Sequence, residues 1–559
     1  MKRFAFLAIA LFTIPAQAAP RDELLRAVPD DYTFCVVVQN LRGDGKNANA
    51  SFHKVLSTSP LLTLIQQSPE AQQVQNVLKA ILKELDITPA QLWDDILGDA
   101  LVFSYRKGPA SQPEVEDGLI LLHARDEKLL VRLIDRINAE QLKTGELKAV
   151  DKIEDRDGTI FRRVKAIEEE PADYYSVRGH RLVFSNKQAQ LTTALKKLAA
   201  QDKAASPIVA RMKQLDVLDA PIVGLVNPRG FDNDLAELAK TGKGSEQAFL
   251  KEFGKYWRAV DSAAVFLRYA PGIEVGLSFH VQKSVLPKAG VTFFSEASKR
   301  SPLWDRVPED ALFAVAGRIH LESFASLLST FLTDDDRLKV LASVSDATRP
   351  FLESENFDLL ARGLGPDVGF WLAAPAADSK TWVPEAMLAL KVASTPEGIQ
   401  AEDAALKGLD FAARFLCLSQ KGMRIHTENQ GTVRVKYLTH PDLFPLGFRL
   451  AFASKGGYLL VAGSPQTITR FEAPTSEATV ADEVPLIRVS VVAWRKYLKE
   501  HRREIGKFLA SANKLEPAAF DAQLDKLMPA LESVERVELV QRSTSDRVTL
   551  AVRFVEKRK

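Results

Sequence analysis

Cysteine is almost absent: Cys35 and Cys417 are the only two among 559 residues. Disulfides therefore cannot be the main source of stability, and no C-x-x-C spacing offers a zinc or redox site. Each cysteine lies inside an apolar run, at non-equivalent places. This predicts buried free thiols rather than one long-range bridge. An excess of one charge is also lacking. Lys and Arg number 74 against 72 Asp and Glu. That balance excludes a global attraction to nucleic acid and leaves only local patches. No apolar run is long enough to cross ~30 Å of hydrocarbon as a helix, so an integral membrane protein is not expected.

Reaction motifs are missing as well. The chain has no G-x-S-x-G elbow, no H-E-x-x-H, no G-x-x-x-x-G-K-[ST] loop and no G-x-G-x-x-G after a strand. No two of the 8 histidines share helical i, i+4 spacing. His426 and His440 face each other only across an expected hairpin, and a hydrogen-bonded or exposed role suits them better than a metal. No metal and no cofactor is expected.

The first residues form an address. Lys2-Arg3 is a positive head, Phe4 to Ile14 is nearly all apolar, and Ala16-Gln17-Ala18 matches an A-x-A cleavage site. Residues 1–18 are read as a signal peptide cleaved after Ala18. The mature chain is expected in the periplasm or outside the cell.

A hydrophobic content of 46% over this length implies more than one core. Several stretches recur at a nearly constant offset. Val28-Pro29-Asp30-Asp31 returns as Val307-Pro308-Glu309-Asp310. Leu97-Gly98-Asp99-Ala100 returns as Leu364-Gly365-Pro366-Asp367. The hairpin glycine Gly158 returns as Gly431, and the Pro221 to Val226 and Ile273 to Val281 strands resemble Pro485 to Val491 and Val548 to Val555. Loop insertions in a duplicated domain produce such drift.

Each copy reads as α+β. Tyr32 to Gln39 is a nearly continuous apolar strand. Val74, Val77, Leu78, Ile81, Leu82 and Leu85 lie on one helical face. Thr88-Pro89 opens a helix that ends near Gly98, and Asp126 caps another. Asp157-Gly158 and Arg178-Gly179 mark hairpins. In the second copy Thr395-Pro396 starts a helix expected to end near Phe411, and Gly431 and Gly456-Gly457 mark the hairpins. The expected architecture is two tandem pseudo-equivalent repeats, 19–282 and 301–559, joined by a linker at 283–300. Each is expected to be a mainly antiparallel sheet with helices on one face.

The Val-Pro-Asp-Asp start, the Leu-Gly-Asp strand element and the paired hairpins, all doubled behind a signal peptide, carry a family resemblance. The chain resembles a class of exported bacterial proteins built from duplicated α+β repeats, of domain-of-unknown-function type, as described from planctomycetes and cyanobacteria. The resemblance implies a fold and a compartment and carries over no catalytic residue.

Two features bear on function. Ser51-Phe52-His53-Lys54 matches S-x-x-K, and Lys-Thr-Gly occurs at 143–145 and 240–242. The set mimics that of penicillin-binding proteins, but no Ser-Asp-Asn lies between and the second Lys-Thr-Gly follows a helical pattern. A cell-envelope hydrolase on Ser51 and Lys54 is thus only an alternative. The second feature is Trp494 to Leu509, read as one helix with an apolar face. Arg495, Lys496, Lys499, Arg502, Arg503 and Lys507 load its other faces. They form a candidate anion-binding surface for lipid headgroups, an acidic glycan or an envelope protein. Pairing with Glu500 and Glu504 is the competing expectation. Glu168 to Glu170 reads as a solvated run and Asp334 to Asp336 as helix capping. The reading favoured is an exported, non-enzymatic binding or scaffold protein. Carriage of an apolar ligand between sheet and helices is a further alternative.

Overall fold

A computed structural model describes residues 19–43, 51–59, 62, 66, 68–108, 115–155, 158–200, 206–269, 272–339, 354–375, 381–445, 447–513 and 517–556. The expected signal peptide lies outside these residues, as does Asp157 of the first hairpin turn. The protein is α+β, with extensive antiparallel sheet. It divides into two compact units. One holds the chain up to Asn233 together with Ser262–Ala270; the other holds Asp234–Asp261 and everything from Pro271 onward.

The first unit is built on β1 (Phe34–Gln39), β2 (Ala100–Arg106), β3 (Asp117–His123), β4 (Leu147–Asp155), β5 (Gly158–Lys165), β6 (Asp173–Arg178), β7 (Arg181–Ser185), β8 (Ile222–Val226) and β9 (Val260–Arg268). Their spatial order is β9-β8-β1-β2-β3-β7-β6-β5-β4, and every neighbouring pair is antiparallel.

The second unit contains β10 (Ile273–Val281), β11 (Lys299–Arg300), β12 (Phe313–Arg318), β13 (Leu364–Ala373), β14 (Glu385–Val392), β15 (Arg424–Gln430), β16 (Val433–Thr439), β17 (Ala451–Lys455), β18 (Tyr458–Ala462), β19 (Thr479–Val480), β20 (Val484–Ser490), β21 (Val534–Ser543) and β22 (Arg547–Glu556). Its sheet runs β10-β22-β21-β20-β12-β13-β14-β18-β17-β16-β15, again antiparallel throughout. β11 and β19 form a separate two-stranded ladder.

Helices cover both faces of each sheet, not one face as expected. The strands explain this. β3 (DGLILLH) and β18 (YLLVA) are apolar at successive positions and bury consecutive residues, so both of their faces require cover. In the second unit Leu460 and Ala462 of β18 join a core with Trp304, Trp371, Met387 and Phe471. Their neighbours Leu459 and Val461 turn the other way, to clusters that contain Ala401, Ala405 and Ala413 of the helix Pro396–Ser419. That helix runs past its expected end near Phe411. Thr395 caps it by accepting the Gly398 N–H at 3.2 Å.

The local signals at helix starts hold. Asp126 accepts the Leu129 N–H at 2.9 Å and opens the helix Glu127–Lys143, whose Leu129, Leu130 and Leu133 are buried. Thr88 and Gln91 exchange backbone-to-side-chain hydrogen bonds at 2.9 and 3.1 Å, a capping box. Thr333 accepts the Asp336 N–H at 3.1 Å and caps a helix whose first turn holds the acidic run. The face of the helix Pro69–Leu85 differs from expectation. Leu82 is buried, while Val74, Val77 and Ile81 remain exposed. The stretch 283–300 is not bare linker, since it carries the helix Lys288–Ala297, with Phe293 5.8 Å from Phe324. β10, placed by the sequence at the end of the first half, pairs with β22 along Ile273 to His280. Both cysteines are free thiols. Cys35 is fully buried, which pushes its thiol up to about 12, whereas Cys417 is only partly buried. No helix among the described residues is long and apolar enough to cross a membrane.

Candidate functional site

The basic segment is two helices, not one. Ser490, at the end of β20, caps Val491–Glu500 by accepting the Ala493 N–H at 3.2 Å. The helix stops at His501, whose backbone leaves helical geometry (φ −114°, ψ 19°), and Arg502–Asn513 follows. Tyr497 anchors the first helix. It is buried, donates its hydroxyl to the Trp382 carbonyl at 2.7 Å, and contacts the Trp494 and His501 rings at 5.8 and 5.0 Å. Burial pushes the Tyr497 phenol up to about 12, so it remains a neutral donor. Phe508, expected on the buried stripe, is 48% exposed although its ring lies 5.4 Å from Trp382.

The six cations divide by their contacts. Arg502 is clamped against the helix Pro517–Ser533. It donates to Asp521 through Nε at 2.5 Å and to both oxygens of Asp525 at 2.8 and 3.0 Å. Asp525 and Asp521 raise its already high pKa further, and the guanidinium in return holds the Asp525 carboxyl below the usual range. Lys496, Lys499, Arg503 and Lys507 are exposed and Arg495 is partly so. Among the described residues these five form no ion pair, and neither do Glu500 and Glu504. The helical i, i+4 pairs that would neutralise the surface are thus not made.

The hydrolase candidates sit at helix ends. Ser51 is 6% exposed, and its Oγ accepts the Lys54 N–H at 3.3 Å as the N-cap of Phe52–Thr58. Lys143-Thr144-Gly145 closes the helix Glu127–Lys143, and the Thr144 hydroxyl donates back to the Gln141 carbonyl. Lys240-Thr241-Gly242 closes Asp232–Thr241 in the same way, with Thr241 donating to Glu237. Neither run lies on a strand. His426 and His440 do not converge. The first shares a hydrogen bond with Thr439 at 2.9 Å. His440 accepts the Asp442 and Leu443 N–H groups on Nδ1, so its Nε2 donates to the Lys421 carbonyl at 3.0 Å. No cluster of three or more metal-ligating side chains occurs among the described residues.

One titratable group escaped the sequence reading. At the corner before β2, Asp99 Oδ2 lies 3.3 Å from His123 Nδ1 and its other oxygen lies 3.0 Å from Arg42. The His123 and His180 rings stack at 5.9 Å. These residues are far apart in sequence and meet only because β2, β3 and β7 are adjacent. No spacing rule reveals them.

Comparison with protein-family models, with curated proteins and with solved structures finds no match.

Proposed function

We propose that this chain is an exported, non-enzymatic binding or scaffold protein made of two copies of one α+β unit. Its contact surface for an anionic partner would be the helix pair from Val491 to Asn513. One observation carries the surface. Among the described residues, five cations on consecutive helices lack carboxylate partners, while the sixth, Arg502, is used to fix the second helix in place. A structural role for the charges would have paired them with Glu500 and Glu504. Two observations support the duplication. The order β9-β8-β1-β2-β3-β7-β6-β5-β4 has the same connectivity as β21-β20-β12-β13-β14-β18-β17-β16-β15. The recurring sequence stretches fall on, or just before, strands at matching places in that order.

Binding of the mature chain to vesicles containing anionic lipid, and to an acidic polysaccharide, tests this reading. Binding should weaken as salt rises. Replacing Arg503 and Lys507 by alanine should weaken it about 30-fold. Salt-sensitive binding that survives both replacements refutes the surface. N-terminal sequencing of exported protein tests the leader: the mature chain should begin at Ala19.

The apolar-carrier reading has an observation of its own. Val275, Leu277 and Val552, neighbours on one face of β10 and β22, are 44%, 44% and 37% exposed. Polar residues of the opposite face, among them Ser278 and Thr549, are buried instead. A saturable fluorescent fatty acid, displaced after Leu277→Lys, would favour this reading.

A further inference from the structure

Independently of the proposal for the basic helices, the second unit contains two adjoining cavities, of about 520 Å³ and 300 Å³. Both are lined by Glu385, the first residue of β14, and by Arg470, the last of the helix Pro465–Arg470. These two side chains form an ion pair in which Glu385 is 20% exposed and Arg470 54% exposed. Thr467 adds a hydrogen bond to the same Glu385 oxygen at 3.4 Å. Gln430, at the end of β15, lines the larger cavity, and its Oε1 is buried with no hydrogen-bond partner among the described residues. Phe448 forms part of the same wall, and its ring lies against Gly463. A Cβ on Gly463 would come within 3.3 Å of that ring. Trp371 lines the smaller cavity.

We propose that this groove binds a neutral, polyhydroxylated ligand: a carbohydrate. The volume is in the range of small-ligand sites. The chemistry selects among ligands. Glu385 and Arg470 already neutralise each other, so a charged ligand has to break their pair before binding. A sugar does not. Adjacent hydroxyls donate to the carboxylate and accept from the guanidinium while the pair stays closed. The Gln430 Oε1 accepts a further hydroxyl, and without a ligand it is a desolvated acceptor that no described residue satisfies. The Phe448 ring offers the apolar surface that the C–H face of a pyranose covers.

The test titrates the mature full-length chain with maltotetraose, with chitotetraose and with the dipeptide Ala-Ala. Calorimetry and tryptophan fluorescence, to which Trp371 contributes, are the readouts. At least one tetrasaccharide should bind saturably at one site per chain. Glu385→Gln and, separately, Gln430→Leu should each lower its affinity at least tenfold. Far-UV dichroism and melting temperature identify a misfolded variant. Gln466→Ala, an exposed lining position, keeps the test open if Glu385→Gln fails to fold, and should lower affinity severalfold. The proposal is overturned if neither tetrasaccharide saturates. It is equally overturned if sugar binding ignores the folded variants, or if only Ala-Ala binds, which would mark a zwitterion site.

Discussion

The corner before β2 and the corner before β13 look alike in sequence and differ in chemistry. Leu97-Gly98-Asp99-Ala100 aligns with Leu364-Gly365-Pro366-Asp367, so the aspartate moves by one position. Along a strand one position is one face. Asp99 stays at the corner, where His123 and Arg42 reach it. Asp367 enters β13 opposite Arg318 of β12 and lies on the same side as the buried Trp371. There Arg318 grips both of its oxygens, at 3.0 and 2.9 Å, and also pairs with Glu296. The hairpin glycines differ in a similar way. Gly158 has φ +115° and a Cβ there would strike the Arg178 guanidinium. Gly431 has φ +63° and open space around it. Turns that look alike in sequence therefore sit among different side-chain partners in the two units.

The largest expected effect is at Asp367. Its side chain is 7% exposed and that of Arg318 is 13% exposed, so Asp367→Asn leaves a nearly buried guanidinium with half of its partners. We expect a loss of about 3 kcal/mol in urea unfolding, at the low end for a broken buried pair because Glu296 remains. A loss below about 1 kcal/mol would show that Arg318 and Asp367 are better solvated than their burial implies. Next comes Gly158→Ala, expected to cost about 2 kcal/mol from backbone strain and displacement of Arg178. If Arg178→Ala on its own restores most of that loss, displacement of the side chain dominates. If it does not, the φ of Gly158 dominates.

These pairs also show what the sequence can carry. Turns and caps were legible because they rest on local chemistry. Asp126, Thr395 and Thr333 each accept the N–H three residues on, as their side chains dictate. The strands were legible from β-branched runs. Two things were not. The cover on both faces depends on which strands become neighbours, and β18 alone cannot announce that a core lies on either side of it. The extent of burial on a helix was also hidden. Val74, Val77 and Ile81 share a stripe with Leu78, Leu82 and Leu85, yet they stay exposed while Leu78, Leu82 and Leu85 meet a core. For the candidate sites the balance was similar. Trp494 to Leu509 was visible as basic, but the break at His501 and the clamp of Arg502 by Asp521 and Asp525 are tertiary. Glu385, Gln430 and Arg470 come from three separate elements and leave no local trace.

The Asp99 corner should respond to pH. The close approach of His123, with the charge of Arg42, holds the Asp99 carboxyl below its ordinary value, while burial opposes them. A carboxyl depressed in the folded state adds stability above its unfolded pKa of about 3.9. That contribution disappears as pH falls through the folded value. Asp99→Asn should therefore cost about 1–2 kcal/mol at pH 7. The gap between wild type and variant should narrow below about pH 4, as followed by urea unfolding across pH 3–7. A gap that stays constant with pH would detach Asp99 from the linkage.

The smallest effect is expected at Gly431, where the turn between β15 and β16 needs a left-handed residue but imposes no contact. Gly431→Ala should cost about 1 kcal/mol, the ordinary price of that backbone region for an L residue. Gly431→Asn should cost less, because asparagine tolerates the region. The order Gly, Asn, Ala in melting temperature would assign the whole effect to φ. Equal losses for Asn and Ala would mean that a side chain at this turn meets something, and Gly431 would then be constrained as Gly158 is.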